Sequence, residues 1–515
     1  MSERNTLLMA IDLGTTFIKA GVYSPEGRLI GQASADVKSE VPFAGAFIQR
    51  GDDILESVVK CMKTVGSELG SRAADIEAIA FTGQMSGFMG VDKDWDDVTT
   101  WSCSMDSRYM PYAERQIMDL GQDFLEICGT SAPQMAPKFE WFKTEFPEPA
   151  RRIAKYVMIS GYVIGKLGEC PIEDAAIAKS YTQWTGLADL RNAAWSDKLC
   201  SAVKMKKDHL PRIVSATHIC GTLSKKMAGL TGLKSGIPLA SGAGDKIAGC
   251  TGADVLGSGE MIFEASSYGA LTCCMDEYKV DSLSRRFDVV PSAIDGQFYA
   301  MNFIIGSGVT LDWFKKIFGG NGEQSGGSFY EAIDRQVEQI KPGCNGLMAI
   351  GLLGGSAQPL DGDLRGMWMG FDWSHKKEHF YRALLESFCY NFCLVAQRLE
   401  EMYPSCRGTK VKIIGGGAKS RVWTQMNADV LGRTYQALNR EDVALWGAAI
   451  MAGKAIGLFR DLRETARKYV AVVREYQTNK KMNSAYRPFV SLYGQYTKEL
   501  HRFYKRVQET NSAPQ

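Results

Sequence analysis

Two stretches of this chain, about 250 residues apart, follow one plan. The first, "LLMAIDLGTTFIKAGVY", is an apolar run, a turn of glycine and small hydroxyls, and a second run with strand-like alternation. The second, "EMIFEASSYGALTCCM", repeats that order around Ala265, Ser266 and Ser267. Each pattern reads as a β-hairpin, because short apolar runs bounded by turn residues form buried strands. An echo over so long an interval points to duplicated domains rather than to a solenoid of short repeats.

Beyond the first hairpin, "ILESVVKCMKTVGSEL" spaces its apolar residues as a helix does, and "IEAIAFTGQ" is a further strand ending in a polar loop. Strand, helix and strand in alternation give an α/β fold built on a central sheet. Glycines cluster at "TGADVLGSGE" (Thr251–Glu260) and mark the boundary. The expected division is residues 1–252, residues 253–461 and a helical C-terminal extension, 462–515, that packs on the surface. "FGGNGEQSGGS" (318–328) reads as a flexible surface loop. "HFYRALLESFCYNFCLVAQRLEEMYP" reads as an amphipathic helix stopped near Pro404.

A chain of 515 residues can bury sizeable cores without disulfide staples. Its formal net charge of +2, without long Lys/Arg runs, gives no footprint for a duplex, so no nucleic acid partner is expected. The 13 cysteines are scattered, no C-x-x-C pair occurs, and the polar start "MSERNT" is no secretory segment. Reduced thiols and a cytoplasmic location are therefore expected. No apolar run approaches the roughly 18 residues of a membrane helix, so no membrane partner is expected. "HKKEH" (His375–His379) has the H-x-x-E-H spacing of inverted zinc peptidases. Two lysines lie inside it where a long helix begins, and a solvated helix start is the expected reading.

Chemistry enters at four places. In "IDLGTT", Asp12 ends a buried strand and is followed by Gly14, Thr15 and Thr16. A carboxylate beside N–H groups and hydroxyls suits a phosphate chain with a hydrated Mg²⁺; a plain hairpin turn is the alternative. In "SGAGDKIAGCTGAD", Asp245 sits among small residues, either as a turn residue or as an acid that touches something entering from outside. In "KIIGGGAKSRVWTQ", Gly415, Gly416 and Gly417 follow an apolar strand, and Ser420 is placed to cap the next helix. Such a loop lets backbone lie against a base or ribose, and the helix N-terminus favours anions; a tight turn is the alternative. It matches neither G-x-G-x-x-G nor the P-loop pattern, so neither a dinucleotide fold nor a P-loop is supported. Finally, "TGQMSG" and "WSCSMDSRY" offer Gln84, Asp106 and Arg108 to a polyhydroxyl ligand, with Trp101 as an apolar wall. Surface loops held by local hydrogen bonds are the alternative there.

In this order, along almost the whole chain, these stretches resemble the FGGY carbohydrate kinases, the sugar-kinase branch of the actin, Hsp70 and hexokinase ATPase superfamily. The resemblance rests on "AIDLGTTFIKAGVY", "GQMSG", "WSCSMDSR", "PKFEWFKTEFPE", "SGAGDKIAG", "RALLESF" and "GGGAKSRVWTQMNADVLG". It implies two RNase H-like domains with an interdomain cleft. It also implies transfer of the γ-phosphoryl group of ATP, with Mg²⁺, to a hydroxyl of a small sugar or polyol, first of all a ketopentose such as xylulose. On that resemblance Asp245 is the catalytic base, and Asp12, Gly14, Thr15, Thr16 and Lys19 form the phosphate loop, with Asp12 and Asp245 at the metal. Ser266 and Ser267 form the second phosphate loop, and Gly415, Gly416, Gly417 and Ser420 hold the nucleotide. Gln84, Met85, Ser86, Trp101, Asp106 and Asp245 contact the sugar. Dimers are common among such kinases, so a homodimer is implied.

The chain departs from the pattern in places. Ser86 stands where xylulose kinases carry a histidine, the Arg-Glu pair of glycerol kinases is missing, and Ala265 replaces a glycine. Trp446 stands where a smaller aliphatic is commoner, which is expected to reshape packing near the nucleotide. Ribulose, ketohexoses and tetritols stay open as substrates. A chaperone- or actin-like ATPase would have no need of the sugar loops; a catalytically silent sugar-binding regulator is the other alternative, and the intact Asp12 and Asp245 argue against it.

Overall fold

The computed structural model describes residues 6–319 and 329–511, so the loop expected at 318–328 falls, beyond Gly319, outside the described residues. Leu7–Leu13 (β1), Phe17–Tyr23 (β2), Leu29–Asp36 (β3), Ile76–Gly83 (β4), Ile219–Thr222 (β5) and Pro238–Ala240 (β6) form a six-stranded sheet ordered β5-β6-β4-β1-β2-β3. β1 pairs antiparallel with β2, closing the expected hairpin, and parallel with β4. Its "LLMAIDL" is apolar almost throughout because the strand is interior to the sheet and covered by helices. Helix Gly51–Leu69 (α1) lies over β2 and β3 with Ile54, Val58, Cys61, Met62 and Val65 buried, the spacing expected of one apolar face. A short helix, Asp245–Gly252 (α2), follows β6.

The second half repeats the design. Met261–Glu264 (β7), Gly269–Met275 (β8), Asp288–Pro291 (β9), Phe298–Ile304 (β10), Val411–Ile414 (β11), Tyr435–Leu438 (β12) and Val472–Tyr476 (β13) form a seven-stranded sheet ordered β9-β10-β8-β7-β11-β12-β13. β7 pairs antiparallel with β8 and parallel with β11. The runs β3-β2-β1-β4-β6 and β10-β8-β7-β11-β12 are therefore equivalent, each with a hairpin followed by parallel strands, which is the RNase H-like arrangement. Helix Lys377–Met402 (α3) is the long amphipathic helix, ending two residues before Pro404, and Arg421–Leu431 (α4) follows the glycine loop.

Three features differ from expectation. Helix Val443–Ala455 (α5) follows the second sheet in sequence but packs on β1, β4 and α2, inside the first core. It is apolar nearly all round, which suits a helix enclosed on every side. Trp446 belongs to it and packs against Tyr23 at 5.5 Å between ring centres, so it repacks the first core rather than the nucleotide side. Secondly, the segment 462–515 is not all helix: β13 is an antiparallel edge strand on β12, and Lys480–Asn511 (α6) then packs on α3 and α4. Thirdly, the H-x-x-E-H segment starts α3 as expected, but the His375 side chain within it is not solvated. His375 is buried and donates from Nε2 to the Cys344 carbonyl at 3.0 Å, while the His379 ring accepts the Lys376 N–H at 3.2 Å. Among the described residues, no helix is long and apolar enough to cross a membrane.

Candidate active site

Between the two lobes lies a cleft of about 500 Å³, lined among others by Asp12, Lys19, Asp245, Lys246, Glu264 and Gly415. A second cavity of about 520 Å³ is lined by Ser266, Ser267, Gly416, Gly417, Ser420 and Trp423. The glycine loop borders both.

Strand ends place these groups. Asp12 is the penultimate residue of β1 and pairs in register with Lys19 of β2, so acid and base leave the hairpin side by side. Asp245 opens α2, where backbone N–H groups have no helical partner, and its Oδ1 accepts the Lys246 N–H at 2.7 Å. Some of the small residues after it serve packing. α2 and α5 touch backbone to backbone: a Cβ on Gly252 would fall 1.9 Å from the Val443 carbonyl oxygen, and one on Gly447 equally close to that of Ala248. Gly252 thus answers to α5, whereas Gly249 lines the cleft and has room for a Cβ.

Burial, and after it the neighbouring Asp245 carboxylate, push Asp12 up to about 7, against the pull of Lys19 and Lys246. Asp245 is also raised, by burial first, with Lys246 opposing and Glu264 adding. Two crowded carboxyls that resist ionisation form an all-oxygen pair whose charge a divalent cation would neutralise. Lys246 reaches Glu264 Oε2 at 2.5 Å, and Glu264 Oε1 accepts the Ser266 hydroxyl at 2.8 Å.

Of the sugar-side candidates only Asp245 lines a cavity; Gln84, Met85, Ser86, Trp101 and Asp106 line neither, but the Met85 loop borders Asp245. Met85 lies so close to Gly244 that a Cβ there would meet its Cγ at 2.3 Å. Gln84 Oε1 accepts the Trp101 indole N–H at 3.2 Å, whereas Gln84 Nε2 and Ser86 Oγ are buried without a partner among the described residues. Trp101 is fully buried, so it supports the loop from beneath instead of forming an open wall. Asp106 differs from expectation as well. Arg108 grips it through two bonds of 2.8 and 2.7 Å, and the Ser102 hydroxyl adds a third at 2.6 Å. Burial alone would raise its carboxyl, but these donors hold it below the usual range. With both oxygens engaged inside the protein, Asp106 anchors its own loop.

On the opposite side, Ser420 caps α4 by accepting the Trp423 N–H at 3.1 Å. Gly417 N–H donates to the Ala265 carbonyl at 2.8 Å, stitching the glycine loop to the second hairpin turn. Gly14, Thr15 and Thr16 line neither cavity; the Thr15 carbonyl accepts the Gln49 side chain at 2.7 Å. Neither Glu264 nor Lys246 received a role from the sequence. An acid closing the strand of the second hairpin, as Asp12 nearly closes the first, was the available signal.

Residues 7–252 match the N-terminal domain, and residues 266–456 the C-terminal domain, of the FGGY family of carbohydrate kinases. The xylulose kinase of Bacillus subtilis (strain 168) is 26% identical over 94% of this chain and 95% of its own. The gluconokinase of Bacillus licheniformis is 24% identical over 97% of each chain. Among solved structures, ligand-bound xylulose kinase from Lactobacillus acidophilus superposes with a TM-score of 0.88 at 21% identity, covering 98% of this chain and all (100%) of that one.

Proposed function

The chain belongs to the FGGY family of carbohydrate kinases, and from that premise we propose that it transfers the γ-phosphoryl group of ATP to a hydroxyl of a ketose, first of all xylulose. That it is a phosphotransferase acting on a sugar follows from the family; the choice of sugar and the roles of single residues are the proposal. The observation that carries it is the position of Asp245, at the head of α2, beside Asp12 in the cleft and against the Met85 loop.

Phosphoryl transfer depends on positioning and on stabilising charge, with little covalent work for the protein. Asp245 orients the sugar hydroxyl and accepts its proton as the new O–P bond forms; a carboxyl raised by burial is a better-matched base than a free one. Asp12 and Asp245 would hold Mg²⁺, which would neutralise phosphate charge in the cleft. Lys19 faces the same space and adds a cation for the phosphates. The Ser266 and Ser267 loop, with Gly415–Gly417 and the Ser420-capped start of α4, takes the remaining phosphates and the nucleoside in the second cavity. Gln84 Nε2 and Ser86 Oγ, buried without partners among the described residues, take sugar hydroxyls. On this reading residues 1–252 hold the sugar and the base, and residues 253–461 the nucleotide.

The gluconokinase relative raises an acidic sugar as the second candidate. Two nearby cations are engaged elsewhere: Arg108 on Asp106, and Lys138 on the carbonyls of Ser102 and Cys103 at 2.8 and 2.6 Å. That favours a neutral ketose. A coupled ADP assay over ketoses, polyols and aldonates with Mg-ATP tests the reading. ADP release with xylulose well above that with gluconate is expected, and none with any sugar would leave a silent binding protein.

A further inference from the structure

Lys246 stands next to the proposed base, yet its ammonium points across the cleft. It ends 2.5 Å from Glu264 Oε2, on the closing residue of β7 in the other lobe. Glu264 passes the link to the second turn through Ser266. Each member of the pair keeps about a fifth of its side chain exposed, at 22% and 23%, and both line the cavity that holds Asp12 and Asp245. The pair is therefore neither a buried strut nor a free surface pair. It is a strap over the space where phosphates would enter.

Charge in that space is unbalanced. Five acids (Asp12, Asp245, Glu264, Glu441, Asp442) and two ammonium groups (Lys19, Lys246) line it before any ligand arrives; Glu441 and Asp442 are paired with Lys419 and Arg440, which leaves Asp12, Asp245 and Glu264 facing the two lysines. A triphosphate brings further negative charge and strong acceptors. Both partners keep some contact with water, so Glu264 can be resolvated when its cation moves to a phosphate oxygen, and the cation gains a second charge-assisted bond in exchange for the first.

We infer that Lys246 is a phosphate-binding residue that changes partner: Glu264 holds its ammonium in the free protein, and the γ-phosphoryl group takes it when nucleotide binds. Glu264 is then the competitor that the phosphate displaces, and the strap between the lobes opens from one acid to close on another. The inference rests on the kinase reading above and adds to it a cation that discriminates triphosphate from diphosphate.

The test is calorimetric titration of the full chain, with sugar and Mg²⁺ present, using a non-hydrolysable ATP analogue and ADP in parallel. Lys246→Met is expected to weaken the analogue by about tenfold or more, the value of one charge-assisted bond, while ADP changes less than about twofold. Lys246→Arg is expected to restore most of the discrimination, which excludes a loss through misfolding. Glu264→Gln is expected to leave analogue binding as tight as in the parent or tighter, since it removes the competitor. Equal weakening of analogue and ADP by Lys246→Met would overturn the inference, as would a loss in Glu264→Gln matching that in Lys246→Met, since either marks a structural strap. If the parent chain binds neither nucleotide, the kinase reading fails first and this inference with it.

Discussion

The two hairpins share a scaffold and differ in chemistry. In each lobe the first strand is flanked by its hairpin partner and by a parallel strand, and in each a glycine with positive φ presses on the end of that first strand. A Cβ on Gly83 (φ 144°) would lie 2.6 Å from the Leu13 carbonyl oxygen, and one on Gly415 (φ 89°) 2.6 Å from that of Ala265. The chain then diverges. Beyond Gly83 it presents side chains, Gln84 and Ser86, with buried polar atoms that lack partners among the described residues. Beyond Gly415 it presents backbone and the capped start of α4. The first hairpin puts a raised carboxyl, Asp12, and Lys19 into the cleft; the second puts in Glu264, already neutralised by Lys246. On the proposed reading, one fold used twice gives a half that meets the sugar hydroxyls and a half that takes the nucleoside, with charged groups from both hairpins facing the cleft between them.

That contrast can be broken by substitution. The largest effect is expected from Asp245→Asn, which should lower kcat on the best sugar by about a thousandfold while ATP binding stays within a few-fold, in steady-state kinetics paired with calorimetry. Near-parental turnover would remove the base from the first lobe. Asp12→Asn should follow, with kcat down by roughly a hundredfold and a raised requirement for Mg²⁺ in a metal titration. Indifference to metal in the variant would deny the two hairpins their different charges.

How much of this was legible in the sequence follows from how local each feature is. The hairpins, α1, α3 and the Ser420 cap depend on neighbours a few residues apart, and periodicity and turn chemistry showed them. The return of α5 into the first core is a contact between distant segments; only its unbroken apolar surface hinted at enclosure. β13 was hidden because an edge strand with exposed Val472, Val473 and Arg474 carries no alternating buried face. The capture of Asp106 by Arg108 depends on rotamers, and a motif cannot tell a carboxylate facing a sugar from one facing its own loop. The Lys246–Glu264 pair joins two lobes, so no window on either side displays it.

A smaller effect sharpens the account of how the lobes are joined. Asp288 on β9 accepts the Thr130 hydroxyl at 3.3 Å and the Gln358 amide at 3.1 Å, and burial pushes its carboxyl up to about 6. Between about pH 4 and 6 the folded form thus holds a proton that the unfolded form has lost, so stability falls as pH rises through that window. The fall is of the order of 2 to 3 kcal/mol. Thermal melts of Asp288→Asn should show a shallower slope, the remainder coming from raised carboxyls such as Asp12; an unchanged slope would place the titration elsewhere. The smallest change should come from Ser266→Ala, a few-fold rise in KM for ATP with kcat nearly kept, the value of one neutral hydrogen bond.

The most direct measurement is a crystal structure with xylulose and a non-hydrolysable ATP analogue bound together. The account expects an Asp245 oxygen within about 2.6–3.2 Å of one sugar hydroxyl, with that hydroxyl in line with the terminal phosphorus. A sugar bound with no hydroxyl near Asp245, or a nucleotide whose phosphates lie outside the cleft between the hairpins, would contradict it.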